Sequence, residues 1–146
     1  MLRLSTKGRY GVRLMIDLAQ NFGKGPVVLK DVAKRQDISV KYLEHLIVLL
    51  KQAKLIRATR GARGGYVLSR PPYGVTLKDI ITAVEGSVAL VDCTKDPAVC
   101  KRSVECLSRD VWSRVAFSFA QVLDSFTLES MIHREKHGEE GMTYAI

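Results

Sequence analysis

Three cysteines, Cys93, Cys100 and Cys106, stand in a Cys-x6-Cys-x5-Cys arrangement, and they are the residues whose type and spacing point most directly to chemistry. An odd number of cysteines in a chain without an apolar signal segment argues against a disulfide framework. Zinc sites commonly contain a tight Cys-x2–4-Cys pair, and none is present. Three thiolates on one loop suit an iron–sulfur cluster, which takes cysteine ligands and needs a fourth ligand from elsewhere. A redox-sensing thiol pair and chemically inert cysteines are the other readings of the same spacing. Enzyme chemistry finds no foothold: the sequence has no P-loop, no Ser/His/Asp set and no metal-hydrolase motif. His45, His133 and His137 have no evident partner for acid–base work.

The second group of candidate residues is basic. Residues 1–75 carry 15 Lys/Arg against 4 Asp/Glu, whereas residues 76–146 carry 8 against 11. The overall net charge of +8 is therefore concentrated in the front half. A phosphate backbone demands such a surface, because cations that displace its counterions supply most of the affinity. No apolar stretch is long and uninterrupted enough for a membrane span, and the start lacks an apolar signal core, so a cytoplasmic protein with no membrane partner is expected.

These residues need elements to present them. Tyr10, Leu14, Leu18 and Phe22 recur at four-residue spacing and predict a first helix over 8–22, ended by Gly23, Gly25 and Pro26. A short helix is expected over Leu29–Gln36, a turn at Asp37-Ile38-Ser39, and a third helix over Val40–Lys54 capped by Ser39. Two helices joined by so short a turn form a helix-turn-helix, whose second helix enters the major groove. Next come a strand-like stretch, Leu55–Thr59, a Gly-rich basic tip, Arg60-Gly61-Ala62-Arg63-Gly64-Gly65, and a returning strand, Tyr66–Ser69. That is a β-hairpin wing. Thr76 and Asp79 form a capping-box pattern that opens a helix ending near Glu85, before Gly86. Residues 87–106 show no clear periodicity, a long helix runs from about Ser108 to Ser125, and a short one starts at Thr127. The tail from Glu135 is polar until its last three residues.

The expected fold is mainly α with a small β-hairpin wing. A winged helix-turn-helix occupies 1–75, and the cysteine loop (93–106) and a long dimerisation helix occupy 76–146. On the third helix, Lys41 and His45 can donate to guanine, Tyr42 can reach a phosphate or a thymine methyl, Glu44 can accept from cytosine N4, and Ser39 can reach phosphate. Arg60 and Arg63 at the wing tip can enter a minor groove or meet phosphates. Ser5, Thr6, Lys7 and Arg9 precede or open the first helix and are expected phosphate contacts. Val111, Val115, Phe119, Val122, Leu123 and Phe126, flanked by Trp112, give the long helix more apolar surface than a small winged domain needs. Pairing with the same helix of a second subunit would cover it.

From Met1 to about Leu128 the chain resembles the IscR/NsrR/CymR family of winged-helix regulators. The matching stretches are Leu4–Tyr10, Ile38–Glu44, Arg60–Tyr66, and the cysteine loop followed by Trp112. The resemblance implies a homodimer with crossed long helices that binds double-stranded DNA and regulates transcription. In the cluster-binding branch, three loop cysteines hold a 2Fe–2S cluster that tunes DNA binding, and Cys93, Cys100 and Cys106 fall on those positions. The sequence departs from that pattern at the fourth ligand. Arg109 stands where one branch has a histidine, Arg9 stands where another has an acidic residue, and neither can ligate iron. Asp92, Glu105, Asp110, His133, His137, a solvent molecule or a small thiol are the substitutes. The first spacing, x6, is also one residue longer than the family's commonest x5. The CymR-like alternative is a regulator without a cluster, controlled by a partner enzyme or a metabolite, with the cysteines incidental.

Overall fold

The computed structural model describes residues 3–136. Helix α1 runs over Thr6–Gln20, two residues ahead of the span that apolar periodicity predicts. The reason is local. Ser5 lies in extended backbone and its hydroxyl accepts the N–H of Gly8 at 3.2 Å, so the helix starts at the cap and not at the first apolar residue. Leu14, Met15 and Leu18 of α1 are buried at the centre of the core. Phe22, expected at the end of that stripe, lies beyond the helix and is exposed.

Helix α2 (Leu29–Gln36) ends on Asp37 in the left-handed conformation (φ 51°), which a short polar side chain tolerates. This residue reverses the chain, and Ser39 then caps α3 (Val40–Gln52) by accepting the N–H of Tyr42 at 3.2 Å. Leu43, Leu46, Ile47 and Leu50 bury one face of α3 against α2, α1 and the later helix α4. The wing consists of β1 (Ile56–Thr59) and β2 (Gly65–Leu68), antiparallel, with Ile56 opposite Leu68 and Thr59 opposite Gly65. Val27 adds a short third rung, exchanging two backbone hydrogen bonds of 2.9 Å with Tyr66. Gly65 makes that approach possible, since a Cβ there would lie 2.4 Å from the Val27 carbonyl oxygen.

The capping box at Thr76 and Asp79 is present in both directions and opens α4 (Leu77–Glu85), which Gly86 (φ 95°) ends. The stretch without periodicity contains one helical turn, α5 (Asp92–Lys95), and a 3-10 turn at Pro97–Val99. Helix α6 spans Leu107–Asp124 and α7 spans Leu128–Lys136. Helices α4 and α7 pack on α1, and a single core runs from Leu14 through Leu46 and Ile80 to Leu128. Val75 and Leu128 are joined backbone to backbone at 2.9 Å, and Leu77 to Phe126 at 2.8 Å, which ties the end of α6 back to the start of α4. Among the described residues no helix is long and apolar enough to cross a membrane.

Candidate nucleic-acid interface and cysteine loop

Burial of the Leu43–Leu46–Leu50 face forces the rest of α3 outward. Lys41, Glu44, His45 and Val48 are exposed on it, and Tyr42 is half-buried at the edge. Ser39, once it has accepted the Tyr42 N–H, keeps its hydroxyl proton for an outside acceptor. Among the described residues, Lys41, Arg60 and Arg63 form no ion pair or hydrogen bond through their side chains, so three cations on α3 and the wing tip stand exposed and uncompensated.

Aromatic packing fixes how α3 sits on α1. The Tyr10 and Tyr42 rings meet edge-to-face with centroids 5.5 Å apart at 82°, and Tyr42 in turn meets His45 at 6.5 Å. The guanidinium groups of Arg9 and Arg13 lie 5.8 and 5.4 Å from the Tyr10 ring centroid. Arg13 also donates to the Gln36 side chain at 3.2 Å and to the Gln36 carbonyl, closing the end of α2 onto α1. Deeper in, the Asp17 carboxylate, only 1% exposed, accepts both Nε and a terminal nitrogen of Arg35 at 2.9 and 2.8 Å, and an amide N–H of Gln36 at 3.1 Å. The hydrogen bonds from Arg35 to Asp17 hold the guanidinium pKa above its ordinary value. The helix-turn-helix is thus clamped to α1 by polar groups at two points.

The N-terminal candidates divide. Thr6 and Arg9 are exposed, Arg9 donating to the Thr6 hydroxyl at 3.3 Å, and Lys7 is half-buried. Ser5 donates its proton to the Glu85 carboxylate and accepts from Gly8, whose N–H also reaches Glu85 at 3.1 Å. Glu85 therefore lies against the positive end of α1 and takes part of its hydrogen-bonding capacity.

Cys93 lies on α5, Cys100 follows the 3-10 turn, and Cys106 stands at the N-terminal boundary of α6 without a capping side-chain hydrogen bond; all three are free thiols and half-buried. The Cys106 thiol is held below its ordinary pKa, chiefly by the Ser108 hydroxyl at 3.4 Å and then by the backbone N–H of Arg109. Arg109 turns its side chain back over the loop, Nε donating to the Cys93 carbonyl at 2.9 Å and a terminal nitrogen to the Ser103 carbonyl at 3.5 Å. Three thiols on one loop fit an iron–sulfur cluster in ligand chemistry. In this conformation, however, no three His, Cys, Asp or Glu side chains among the described residues gather around a single point. The candidate fourth ligands are dispersed. Asp92 and Glu105 are exposed, Asp110 lies 3.9 Å from Arg114, His133 is exposed on α7, and His137 lies outside the described residues.

Residues 4–134 match the Rrf2 family, described as iron-dependent transcriptional regulators. The chain belongs to the Rrf2 family. It is similar to the HTH-type transcriptional regulator CymR of Bacillus subtilis, 41% identical over 130 residues that cover 89% of each protein. Protein rrf2 of Nitratidesulfovibrio vulgaris is 39% identical, covering 90% of this chain and 87% of that one. Among solved structures, IscR of T. potens superimposes with a TM-score of 0.76 at 42% identity, covering 99% of this chain and 97% of that one. The structure of B. subtilis CymR, the global cysteine regulator of that organism, gives 0.75 at 41%, covering 91% and 98%. The winged-helix architecture is therefore that of IscR- and CymR-type transcription regulators, and regulators of this kind are not enzymes.

Several residues of this Rrf2-family site escape a reading of sequence pattern. Tyr10 counts as one more apolar position of α1, yet it carries the contact between two arginines and the recognition helix. Arg13 and Asp17 look like ordinary polar positions; Asp17, on the buried side of a helix with Arg35 and Gln36 eighteen and nineteen residues on, has no local signal at all. Arg109 is visible in sequence only as a missing ligand.

Proposed function

We propose that this Rrf2-family chain is a homodimeric, sequence-specific DNA-binding regulator whose operator affinity is set at its cysteine loop. The observation that carries the DNA-binding reading is the joint presentation of Lys41, Tyr42, His45, Arg60 and Arg63 on two elements locked to one core, the three Lys/Arg cations having no hydrogen-bond or ion-pair partner among the described residues. Lys41, Tyr42 and His45 enter the major groove with the first turns of α3, Arg60 and Arg63 follow the adjacent groove, and Ser39, Thr6, Lys7 and Arg9 take phosphates. Ser5 serves the same surface by fixing the start of α1. Residues 1–75 form the reading part and 76–146 the controlling part, and the protein works in the cytoplasm.

The dimer is supported by α6. Val111, Val115, Phe119 and Val122 are each at least 43% exposed and share one face, while Leu123 alone is buried. An apolar groove of about 580 Å3 between α4 and α6, lined by Leu77, Ile81, Val88, Leu90, Val115 and Phe119, continues that face. A second copy of α6 covers both.

For control, Cys93, Cys100 and Cys106 are the residues that would hold a 2Fe–2S cluster once the loop brings their thiols together. When bound, such a cluster supplies one-electron redox chemistry and sensitivity to oxidants. Purification without oxygen tests it. Visible absorption with about one cluster of iron and sulfide per chain is expected, and both vanish when the three cysteines are changed to alanine. A protein that stays colourless after anaerobic reconstitution with iron and sulfide contradicts it.

A second reading is favoured by the dispersed carboxylates and by Arg109 at the fourth position. In it the chain acts as a CymR-like regulator without a cluster, controlled by a partner enzyme or a metabolite. Colourless protein whose operator affinity changes with added partner or metabolite, and is unaffected by the three cysteine substitutions, is its expected signature.

A further inference from the structure

We propose that Arg109 is a positioning residue that staples the cysteine loop to α6 in the metal-free chain. The two carbonyls it reaches, on Cys93 and Ser103, flank Cys100 on either side, so one guanidinium spans both limbs of the loop, gripping the Cys93 side closely and the Ser103 side at longer range. Its own backbone lies in the first turn of α6, where the Ser113 hydroxyl donates to the Arg109 carbonyl at 2.8 Å. Ser103 is buried, so its carbonyl has little access to water once the loop is closed.

Guanidinium suits this task. Its planar fork presents several N–H donors in fixed directions, so it can serve two acceptors at once, whereas an ammonium is a point charge on a flexible stem. The staple also gives the loop a mechanical connection to the helix whose apolar face is the proposed dimer surface. A change at the thiols that pulls Cys93 away strains the Arg109 hydrogen bonds, and so reaches α6 without any protein ligand from that helix. This consequence rests on the proposed regulatory role of the loop; the staple itself does not.

The test uses the full chain, reduced and freed of iron by a chelator. Alkylation of each cysteine by iodoacetamide is followed by mass spectrometry, together with amide hydrogen exchange over residues 92–106 and over α1–α3. Arg109→Met keeps the aliphatic stem and removes every donor. It is expected to speed labelling of Cys93 and exchange in the loop about tenfold, with α1–α3 unchanged. Arg109→Lys, able to reach one carbonyl, gives a smaller rise confined to the same loop. Wild-type rates in both variants, or a rise that spreads equally over α1–α3, overturn the proposal. Iron content plays no part in the readout, so failure of the staple and failure of the cluster reading are seen separately.

Discussion

At the scale of single residues, the proposed DNA reader Tyr42 is held in place by a residue of another helix. Its ring is held edge-on by Tyr10, and Tyr10 also lies within cation–π range of two arginines from the same helix. An edge-to-face pair contributes about 0.5–1.5 kcal/mol beyond its burial. Tyr10→Leu should therefore weaken specific operator binding roughly three- to tenfold, while Tyr10→Phe, which keeps the ring, should bind as wild type. Competition binding on specific and random duplexes checks this, because non-specific affinity should be unchanged by either variant. Cys106 offers a second residue-scale prediction. Its thiol is held low by Ser108, so the thiolate form is reached at lower pH than in a free cysteine. The pH midpoint of Cys106 alkylation should lie below that of an unperturbed thiol and move up in Ser108→Ala. At this scale the sequence is legible where chemistry declares itself by type, as in the three thiols and the wing arginines. It is illegible for Tyr10 and Arg109, whose roles depend on residues 32 and 16 positions away.

Elements are legible wherever one residue acts on its own neighbours. The Thr76–Asp79 box, the Ser39 cap, the Asp37 reversal and the Gly86 stop are all short-range devices, and each lies where the sequence puts it. Apolar periodicity places the start of α1 two residues late, because the Ser5 cap and not the first apolar residue sets it. The Val27 rung leaves no trace in the pattern, because a single bridge has no alternation to read. Its stability consequence is direct. Gly65→Ala drives a Cβ into the Val27 carbonyl oxygen, and should cost about 1–3 kcal/mol by denaturant unfolding.

The clamp between α1 and α2 makes an asymmetric prediction. Arg35→Ala leaves a carboxylate that is 1% exposed with the Gln36 amide as its remaining side-chain donor, and should cost about 3 kcal/mol. Asp17→Asn leaves only a half-exposed guanidinium and a neutral, hydrogen-bonding amide, and should cost about 1–2 kcal/mol. Equal losses in the two variants would mean that the pair is not buried on the Asp17 side alone.

For the whole molecule, the charge division between the halves matches the division of labour proposed above. The basic half presents α3 and the wing, and the other half carries the apolar face of α6 and the cysteine loop. The apolar stripe on α6 is legible from its four-residue spacing. How the cysteines are arranged is not legible, since residues 87–106 lack periodicity and the Arg109–Cys93 hydrogen bond that crosses the loop joins residues 16 positions apart.

The central claim is that two copies of this chain read DNA with α3 and the wing. A footprint on duplexes selected from a random pool, repeated over a range of salt, tests it most directly. A two-fold symmetric protected site is expected, its half-sites separated by about 10 base pairs or a multiple. Binding should weaken steeply with salt, and the salt slope should become shallower in Lys41→Ala and in Arg63→Ala, by roughly one unit for each phosphate no longer neutralised. Selection that yields no consensus, or a slope that neither substitution changes, would contradict it.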